Sequence, residues 1–477
     1  VKIIQRKRGI SHPMIRTDFS ISQKNEKEFT PGQGYKLALV SLGCDKNRVD
    51  SEIMLGSLGQ KYQMTEEPME ADIIIVNTCG FIDAAKEESI NTILEMARFK
   101  TEGSCKLLMA TGCLTQRYGE ELLGEMPELD VILGVNSYGK LDEYVERFIV
   151  DRQRIIDTAW SDVGVNDGRR LLTTNFGSTA YVRIGEGCDN NCTYCIIPKI
   201  RGSYRSRSRE DILREVETLA KAGVREIIVI AQDITMYGRD TEGRQTLHEL
   251  LQAMDRVEGI HWIRLMYMYP EGIYEELLQT IAGSPRILNY FDMPIQQISD
   301  TVLRRMGRRT SRAAIEGIIG RIRELMSDAV IRTSLITGFP GETEEEFEEM
   351  KAWLAQMQLE KVGVFPYSKE EGTPAWHMKG QLKDSVKKKR RGELMLVQQQ
   401  VSLAKNQAKI GRTYEVLVEG RNEDGFTGRC FEMAPEIDGE VLIRSDKELI
   451  AGTFVNVRIT DALEYDLIGE IDHESGK

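Results

Sequence analysis

Three thiols fall within eight residues at Cys188-Asp-Asn-Asn-Cys192-Thr-Tyr-Cys195, a C-x3-C-x2-C spacing. A four-iron, four-sulfur cluster has four iron corners, and cluster proteins ordinarily fill each with a cysteine thiolate. Three ligands packed this closely, with no fourth cysteine nearby, leave one iron corner open to a small molecule. A zinc knuckle would need a fourth Cys or His close by, and the five histidines (His12, His248, His261, His377, His473) all lie far away in sequence. Three chance core cysteines, set beside Gly185 and Gly187, explain the stretch less well. It therefore reads as a cluster site with an exchangeable corner.

A second set of thiols is dispersed along the chain. From Tyr35 to about Val150 a strand-then-helix pattern repeats three times. The apolar run Lys36–Leu42 ends at Gly43-Cys44 and gives way to a helical pattern over Arg48–Leu58. Asp72–Val76 ends at Asn77-Thr78-Cys79 before the helical Asp83–Arg98. Lys106–Ala110 ends at Thr111-Gly112-Cys113 before Gln116–Leu123. Such alternation predicts βα units on a parallel sheet, and ligand sites in these sheets gather beyond the carboxyl ends of the strands. Each unit sets one cysteine at that edge, so Cys44, Cys79 and Cys113 should converge in space. Buried cysteines are often plain core residues, and Cys105, which precedes its strand, is read that way. The three equivalent placements are read as ligands of a second iron–sulfur cluster, again with one open iron. A redox dithiol is the alternative, and this half contains no C-x-x-C.

The Cys188 loop needs a scaffold of its own. Strand-like runs recur at Tyr181–Ile184, Glu226–Ala231, Trp262–Met266, Leu288–Asp292, Val330–Thr337 and Val362–Phe365, separated by helical stretches such as Arg209–Ala222, Leu247–Val257 and Glu344–Gln356. Six βα units of this size predict a partial parallel barrel, with the cysteine loop after its first strand, where barrel chemistry belongs. Two further strand ends carry ligand-like residues. The turn Thr337-Gly338-Phe-Pro340-Gly341-Glu342 has glycines that let backbone approach a ligand, or it is only a turn and helix cap. Gln232-Asp233 could hold a polar ligand, or be a solvated loop. Gln232, Asp233, Gly338, Gly341 and Glu342 are the candidate cofactor-binding residues.

Length and charge bound the rest. The chain's 477 residues suffice for three domains at about 150 residues each. No run of 18 apolar residues occurs, so no membrane span is expected, and the first residues lack a signal-peptide core. Eight cysteines without extracellular context suggest a reducing, cytoplasmic location. The net charge of −12 argues against a generic nucleic-acid binder and favours a basic partner. Residues 1–34 read as a polar extension, 35–150 as the first βα domain, 151–178 as a linker and 179–408 as the barrel. Ser385–Ile410 is helical in composition, and its basic run Lys387–Arg391 reads as a solvated face. Residues 411–477 change to short β-rich runs (Tyr414–Val418, Glu440–Ile443, Thr453–Ile459), a small β-barrel. Seven basic against sixteen acidic residues over Arg412–Lys477 give it a charge of −9, which repels phosphate backbones. The fold class is α/β with a β-barrel appended.

With these residues in place, the chain resembles the methylthiotransferases of the radical S-adenosyl-L-methionine (SAM) superfamily over residues 35 to 477. It looks closest to the branch that modifies ribosomal protein S12. The resemblance rests on Leu42-Gly-Cys-Asp-Lys-Asn47 with Val49-Asp-Ser-Glu52, on Asn77–Asp83, and on Gly187–Pro198 followed by Arg201-Gly202. Pro366–Pro374 and Ala434–Gly439 add to it. Two departures stand out: Asp45 occupies a position where many relatives carry Pro, and Gln297 one where His is expected.

The resemblance implies two [4Fe-4S] clusters and SAM as cofactors. The cluster on Cys188, Cys192 and Cys195, charged by a reductant or electron-donor protein, would split SAM into methionine and a 5′-deoxyadenosyl radical. That radical would take a hydrogen from the β-carbon of one S12 aspartate. The cluster on Cys44, Cys79 and Cys113 would present sulfur at its open iron, a second SAM would methylate that sulfur, and transfer would yield 3-methylthioaspartate. The protein's share is orientation and exclusion of water. The last domain resembles a TRAM domain, a recruitment module, and its charge suits a basic protein such as S12. Two other readings compete. A tRNA methylthiotransferase acting on a modified adenosine is supported by the basic runs Arg304–Arg309 and Lys387–Arg391 and opposed by the acidic barrel. A non-catalytic iron–sulfur protein leaves unexplained why both triads stop at three cysteines.

Overall fold

A computed structural model describes residues 34–160, 170–173, 177–423 and 425–472, so the extension before them lies outside the described residues. The chain divides into two compact units. One holds the residues up to Thr173 together with Ile196–Arg207, and the other holds Thr174–Cys195 and Ser208–Lys477.

In the first unit, strands β1 (Lys36–Ser41), β2 (Gln63–Met64), β3 (Ile73–Thr78), β4 (Leu107–Gly112), β5 (Val131–Leu133) and β6 (Ile155–Asp157) form one sheet in the order β2-β1-β3-β4-β5-β6. Every pairing is parallel. All six residues of β3 and of β4 are buried, the continuous apolar signature of strands covered on both faces. Side chains alternate between those faces. Ile73 and Ile75 join Leu37, Met54 and Leu58 in one core, whereas Ile74 and Val76 join Val40, Ile93 and Met96 in the other. Cys105 lies in the second core, where its thiol donates to the Leu107 carbonyl. Ile196 and Ile200 complete the first core.

The linker reading of 151–178 needs correction at both ends. It begins with β6, paired to β5 through Val131 and Ile155, because a three-residue strand is too short to show a period. Its residues Arg170–Thr173 are anchored on Glu52, which is fully buried. Arg170 forms an ion pair with the Glu52 carboxylate at 2.5 Å, and the Thr173 amide and hydroxyl each donate to it at 2.9 Å.

In the second unit, β7 (Thr179–Arg183), β8 (Glu226–Ile230), β9 (Trp262–Leu265), β10 (Ile287–Asp292), β11 (Val330–Thr337) and β12 (Lys361–Pro366) lie side by side in chain order. All are parallel and the sheet stays open, as a partial barrel requires. Helices start where the sequence offers caps. Ser208, Ser299 and Ser311 accept from the backbone at the helices Arg209–Lys221, Asp300–Arg305 and Arg312–Leu325, and Thr343 with Glu346 closes a capping box on Glu344–Met357.

The helix Asp384–Gln407 leads into a closed barrel of β13 (Thr413–Asn422), β14 (Gly425–Arg429), β15 (Val441–Arg444), β16 (Phe454–Ala462) and β17 (Leu467–Ile471). The sequence pattern missed β14 and β17. Both carry glycines (Gly425, Gly428, Gly469) that weaken the strand signal and sit where a neighbouring backbone passes closely. Cys430 is a buried member of this barrel's core. The described helices include none long and apolar enough to cross a membrane.

The basic run on the long helix is split: Lys388, Lys389 and Arg391 are exposed, as a solvated face requires, and the other two turn inward. Lys387 and Arg390 are buried. Lys387 pairs with Asp384, Arg390 bridges Glu342 and Glu344, and Arg391 donates to the Val364 carbonyl. In the other run, Arg308 is buried against Glu271 and Arg305 pairs with Glu346.

Candidate cluster and cofactor sites

The dispersed thiols meet at one edge of the first sheet. Cys44 is the N-cap of the helix Asp45–Leu58, Cys79 directly follows β3, and Cys113 opens the helix Cys113–Glu125. Helix amino termini carry partial positive charge that favours thiolates. Asparagine side chains stitch the three loops together. Asn47 donates to the carbonyls of Leu42 and Thr78 at 2.9 and 3.0 Å, and Asn77 donates back to the Asn47 carbonyl at 2.8 Å. Ser89 accepts from the Cys79 amide and donates to the Cys79 carbonyl, both at 3.0 Å. Two glycines make the approach possible. Gly43 has φ +94°, and a Cβ there would lie 2.9 Å from the Cys79 Cβ and 3.2 Å from its Sγ. Gly112 has φ +107°, and a Cβ there would meet the Thr78 backbone.

Burial pushes the Cys79 thiol up to about 12, with Cys113 and Cys44 adding to the shift. Burial also raises Cys113, against the pull of Arg201. An isolated protein therefore holds these thiols protonated, and a bound cation, which deprotonates a coordinating thiol outright, reverses that. Among the described residues, no three Cys, His, Asp or Glu side chains stand close enough to grip one ion. By donor chemistry, three cysteine thiols at one sheet edge suit an iron–sulfur cluster.

The contiguous triad follows β7 in the second unit. Cys188 and Cys192 are buried and Cys195 is half-buried. The loop is braced from several strand ends. Asn190 donates to Asp233 at 2.8 Å, the Thr193 amide and hydroxyl donate to the carbonyls of Met306 and Arg305, and the Ala375 amide donates to the Thr193 carbonyl. Tyr269 sets its hydroxyl 3.4 Å from the Cys192 sulfur, and the Arg308 guanidinium stacks 4.1 Å from the Tyr269 ring centre. Burial pushes Cys188 up to about 11. Backbone strain collects here too. Asn191, Tyr267 and Gln296 have φ of 51°, 63° and 74°, and each follows the carboxyl end of a barrel strand. Non-glycine residues in this region concentrate at functional sites.

The residues read as cofactor-binding divide in two. Gln232 donates to Glu186 at 2.5 Å, and its side-chain oxygen is buried with no partner among the described residues. Asp233 is already engaged: one oxygen accepts from Asn190 and the other from the Thr235 amide and hydroxyl. Its bond from Asn190 ties it to the cysteine loop. Glu342 is likewise occupied by the Gly338 amide, Arg390 and Gln297. Gly338, at φ +74°, packs against the Lys387 side chain, and Gly341, at φ +77°, lies beside Arg305. That turn is built as a structural joint. Gln297, the departure noted in the sequence, is buried and caps the amides of Ile298 and Ser299. Ser89, Tyr269 and Arg308 were not legible as site residues, because only folding brings them to the thiols, whereas Asn47 stood in the Leu42–Asn47 motif with no role given to it.

An open parallel sheet with a three-cysteine loop after its first strand, joined to a three-cysteine βα unit and a five-stranded barrel, defines a radical SAM enzyme with an auxiliary thiol site. Residues 182–354 match the Radical SAM superfamily, 36–134 match the uncharacterized protein family UPF0004, and 410–471 match the TRAM domain. The ribosomal protein uS12 methylthiotransferase RimO of Clostridium botulinum (strain Hall) is 54% identical over 93% of this chain and 99% of that protein. Its namesake in Clostridium perfringens (strain ATCC 13124) is 54% identical over the same shares. The radical SAM methyltransferase TsrM of Kitasatospora setae shares the fold, with a TM-score of 0.52 at 13% identity, over 72% of this chain and 74% of its own. The chain belongs to the ribosomal protein uS12 methylthiotransferase family. It is a radical SAM enzyme of methylthio transfer, with iron–sulfur and SAM chemistry.

Proposed function

We propose that this chain transfers a methylthio group to the β-carbon of an aspartate in ribosomal protein S12, in the cytoplasm, using two [4Fe-4S] clusters and SAM. The observation that carries the reading is the pair of three-cysteine sites, one contiguous in sequence and one assembled from three strand ends. The substrate is supported by near-full-length relatives that bear the uS12 name. Cys188, Cys192 and Cys195 hold the cluster that engages SAM, and Cys44, Cys79 and Cys113 hold the auxiliary one. When loaded, the first site supplies reductive cleavage of SAM and the second supplies sulfur.

The chain's own residues orient and enclose these groups. Gln232 offers its unpartnered oxygen as an acceptor for a polar group of SAM, and Glu186 fixes the amide that presents it. The Tyr269 hydroxyl lies within hydrogen-bond reach of the Cys192 sulfur; once that sulfur is a deprotonated ligand the hydroxyl would be the donor, and hydrogen bonds to ligand sulfurs shift a cluster's potential. Asp233 and Thr193 keep the cysteine loop in one conformation, which limits reorganisation when the site is charged. A reductant or electron-donor protein completes the system.

The tRNA alternative loses part of its support. Lys387, Arg390, Arg305 and Arg308 of the basic runs pair within the protein, leaving Arg304, Arg309, Lys388, Lys389 and Arg391 exposed, and the barrel shows solvent the acids Glu415, Asp446, Glu448, Asp461 and Glu470. The test offers S12 and bulk tRNA together to the anaerobically reconstituted protein with reductant and SAM. Mass spectrometry is expected to find a methylthio group on one S12 aspartate and none on tRNA. A gain on tRNA alone would overturn the substrate, and 5′-deoxyadenosine without any methylthio product would overturn the auxiliary site's role.

A further inference from the structure

One buried cation sits against the auxiliary thiols with no role assigned to it so far. Arg201 ends the short helix Ile197–Arg201, six residues after Cys195 in sequence, and that segment belongs to the first unit. Its guanidinium is almost fully enclosed, as is its partner Asp50. A single nitrogen, Nη2, faces three acceptors: the Cys113 sulfur at 3.3 Å, the Asn47 side-chain oxygen at 2.9 Å and Asp50 at 3.0 Å. The Cys113 thiol in turn points its hydrogen at the Asn47 oxygen, 3.8 Å away. A ligating sulfur has lost that hydrogen, so Arg201 becomes the donor facing it. Asn47 also anchors the loops that carry Cys44 and Cys79. The guanidinium is thus held by the same side chain that organises the triad.

Resting on the auxiliary-cluster reading, we propose that Arg201 is a positioning residue of that site. It donates to the Cys113 sulfur and thereby raises the cluster's reduction potential, with Asp50 opposing it. Reduction adds negative charge to the cluster. A donor to a ligand sulfur stabilises the added charge, and a nearby carboxylate does the reverse. Burial makes both contributions larger than they would be in water. The two partners should therefore move the potential in opposite directions, which loose packing alone would not do.

The test uses full-length protein carrying C188A, C192A and C195A, so that only the auxiliary cluster remains. Iron and sulfide are counted and the midpoint potential is read by electron paramagnetic resonance during a redox titration. Arg201→Met should lower the potential by a tenfold change or more in the oxidised-to-reduced ratio, 59 mV for one electron. Arg201→Lys should restore part of it, and Asp50→Asn should raise it. If R201M cannot hold iron, the R201K and D50N shifts decide the matter. Intact clusters with unchanged potentials in D50N and R201K, or shifts of the same sign in both, would overturn the proposal. Absence of iron in the parent triple variant would instead overturn the auxiliary cluster itself.

Discussion

At the scale of single residues, the six cluster cysteines divide by task, and substitution should separate the tasks. On the proposed assignment of one cluster to each site, replacing Cys188, Cys192 or Cys195 by Ala should cut iron per chain to about half and abolish 5′-deoxyadenosine formation. Replacing Cys44, Cys79 or Cys113 should remove a similar share of iron but leave 5′-deoxyadenosine formation in place, while methylthio transfer is lost. Iron analysis and chromatography of the nucleoside read both outcomes. Equal loss of nucleoside in the two sets would refute the division. Gly43→Ala should resemble the second set. It forces an unfavourable left-handed backbone and a contact on Cys79, so it should empty the auxiliary site without touching the SAM site.

At the scale of elements, each thiol depends on a loop fixed by neighbours distant in sequence. Ser89, on the helix Asp83–Ala97, satisfies both the amide and the carbonyl of Cys79, which is buried. Ser89→Ala leaves those backbone groups without that partner, at a cost of about 1–3 kcal/mol. A shift of that size in the denaturant midpoint, with slower iron uptake at the auxiliary site, is the expected result. An unshifted midpoint would mean that other groups take over. The long helix Asp384–Gln407 shows the same economy of charge. Of its basic run, read from sequence as solvated, Lys388, Lys389 and Arg391 are exposed, while Arg390 turns inward and neutralises Glu342 and Glu344 beside the turn after β11.

At the scale of the whole molecule, the terminal barrel is keyed to the open sheet through buried ions. Glu226, at the start of β8, lies fully buried between Arg264 and Arg429, at 2.7 and 2.6 Å. Burial by itself would raise its pKa, but Arg429 and Arg264 together outweigh that and hold the carboxyl below its ordinary 4.5. A lowered folded-state pKa gives stability that is present above the unfolded value and disappears as pH falls through the folded one. Thermal stability should therefore drop on acidification below about 4.5 (a carboxylate's ordinary range). Glu226→Gln should flatten that part of the profile and cost about 3–5 kcal/mol at neutral pH, since it leaves buried arginines uncompensated. A stable E226Q protein with the parent's acid profile would show the pair to be idle. On the outer surface, reversing Asp446, Glu448 and Asp461 to Lys should weaken S12 capture several-fold. The effect should fade at high salt and leave SAM cleavage intact, as read by pull-down and nucleoside assay. Undiminished capture at low salt would remove the barrel's charge from recognition.

The amino-acid sequence by itself determined the two thiol triads, because cysteine spacing and the repeat of strand, cysteine and helix need no tertiary information to be seen. It determined the parallel sheets through apolar runs such as Ile73–Val76 and Val330–Thr337. It did not show β2, β5, β6, β14 or β17, which are too short or too rich in glycine to carry a period. Only the tertiary structure decided that Arg201 belongs beside Cys113, that Tyr269 faces Cys192, and that Asp233 and Glu342 serve the scaffold while Gln232 keeps an acceptor free. Those roles depend on which partner a polar side chain meets once buried. A partner 88 residues away, as Cys113 is from Arg201, leaves no local pattern behind.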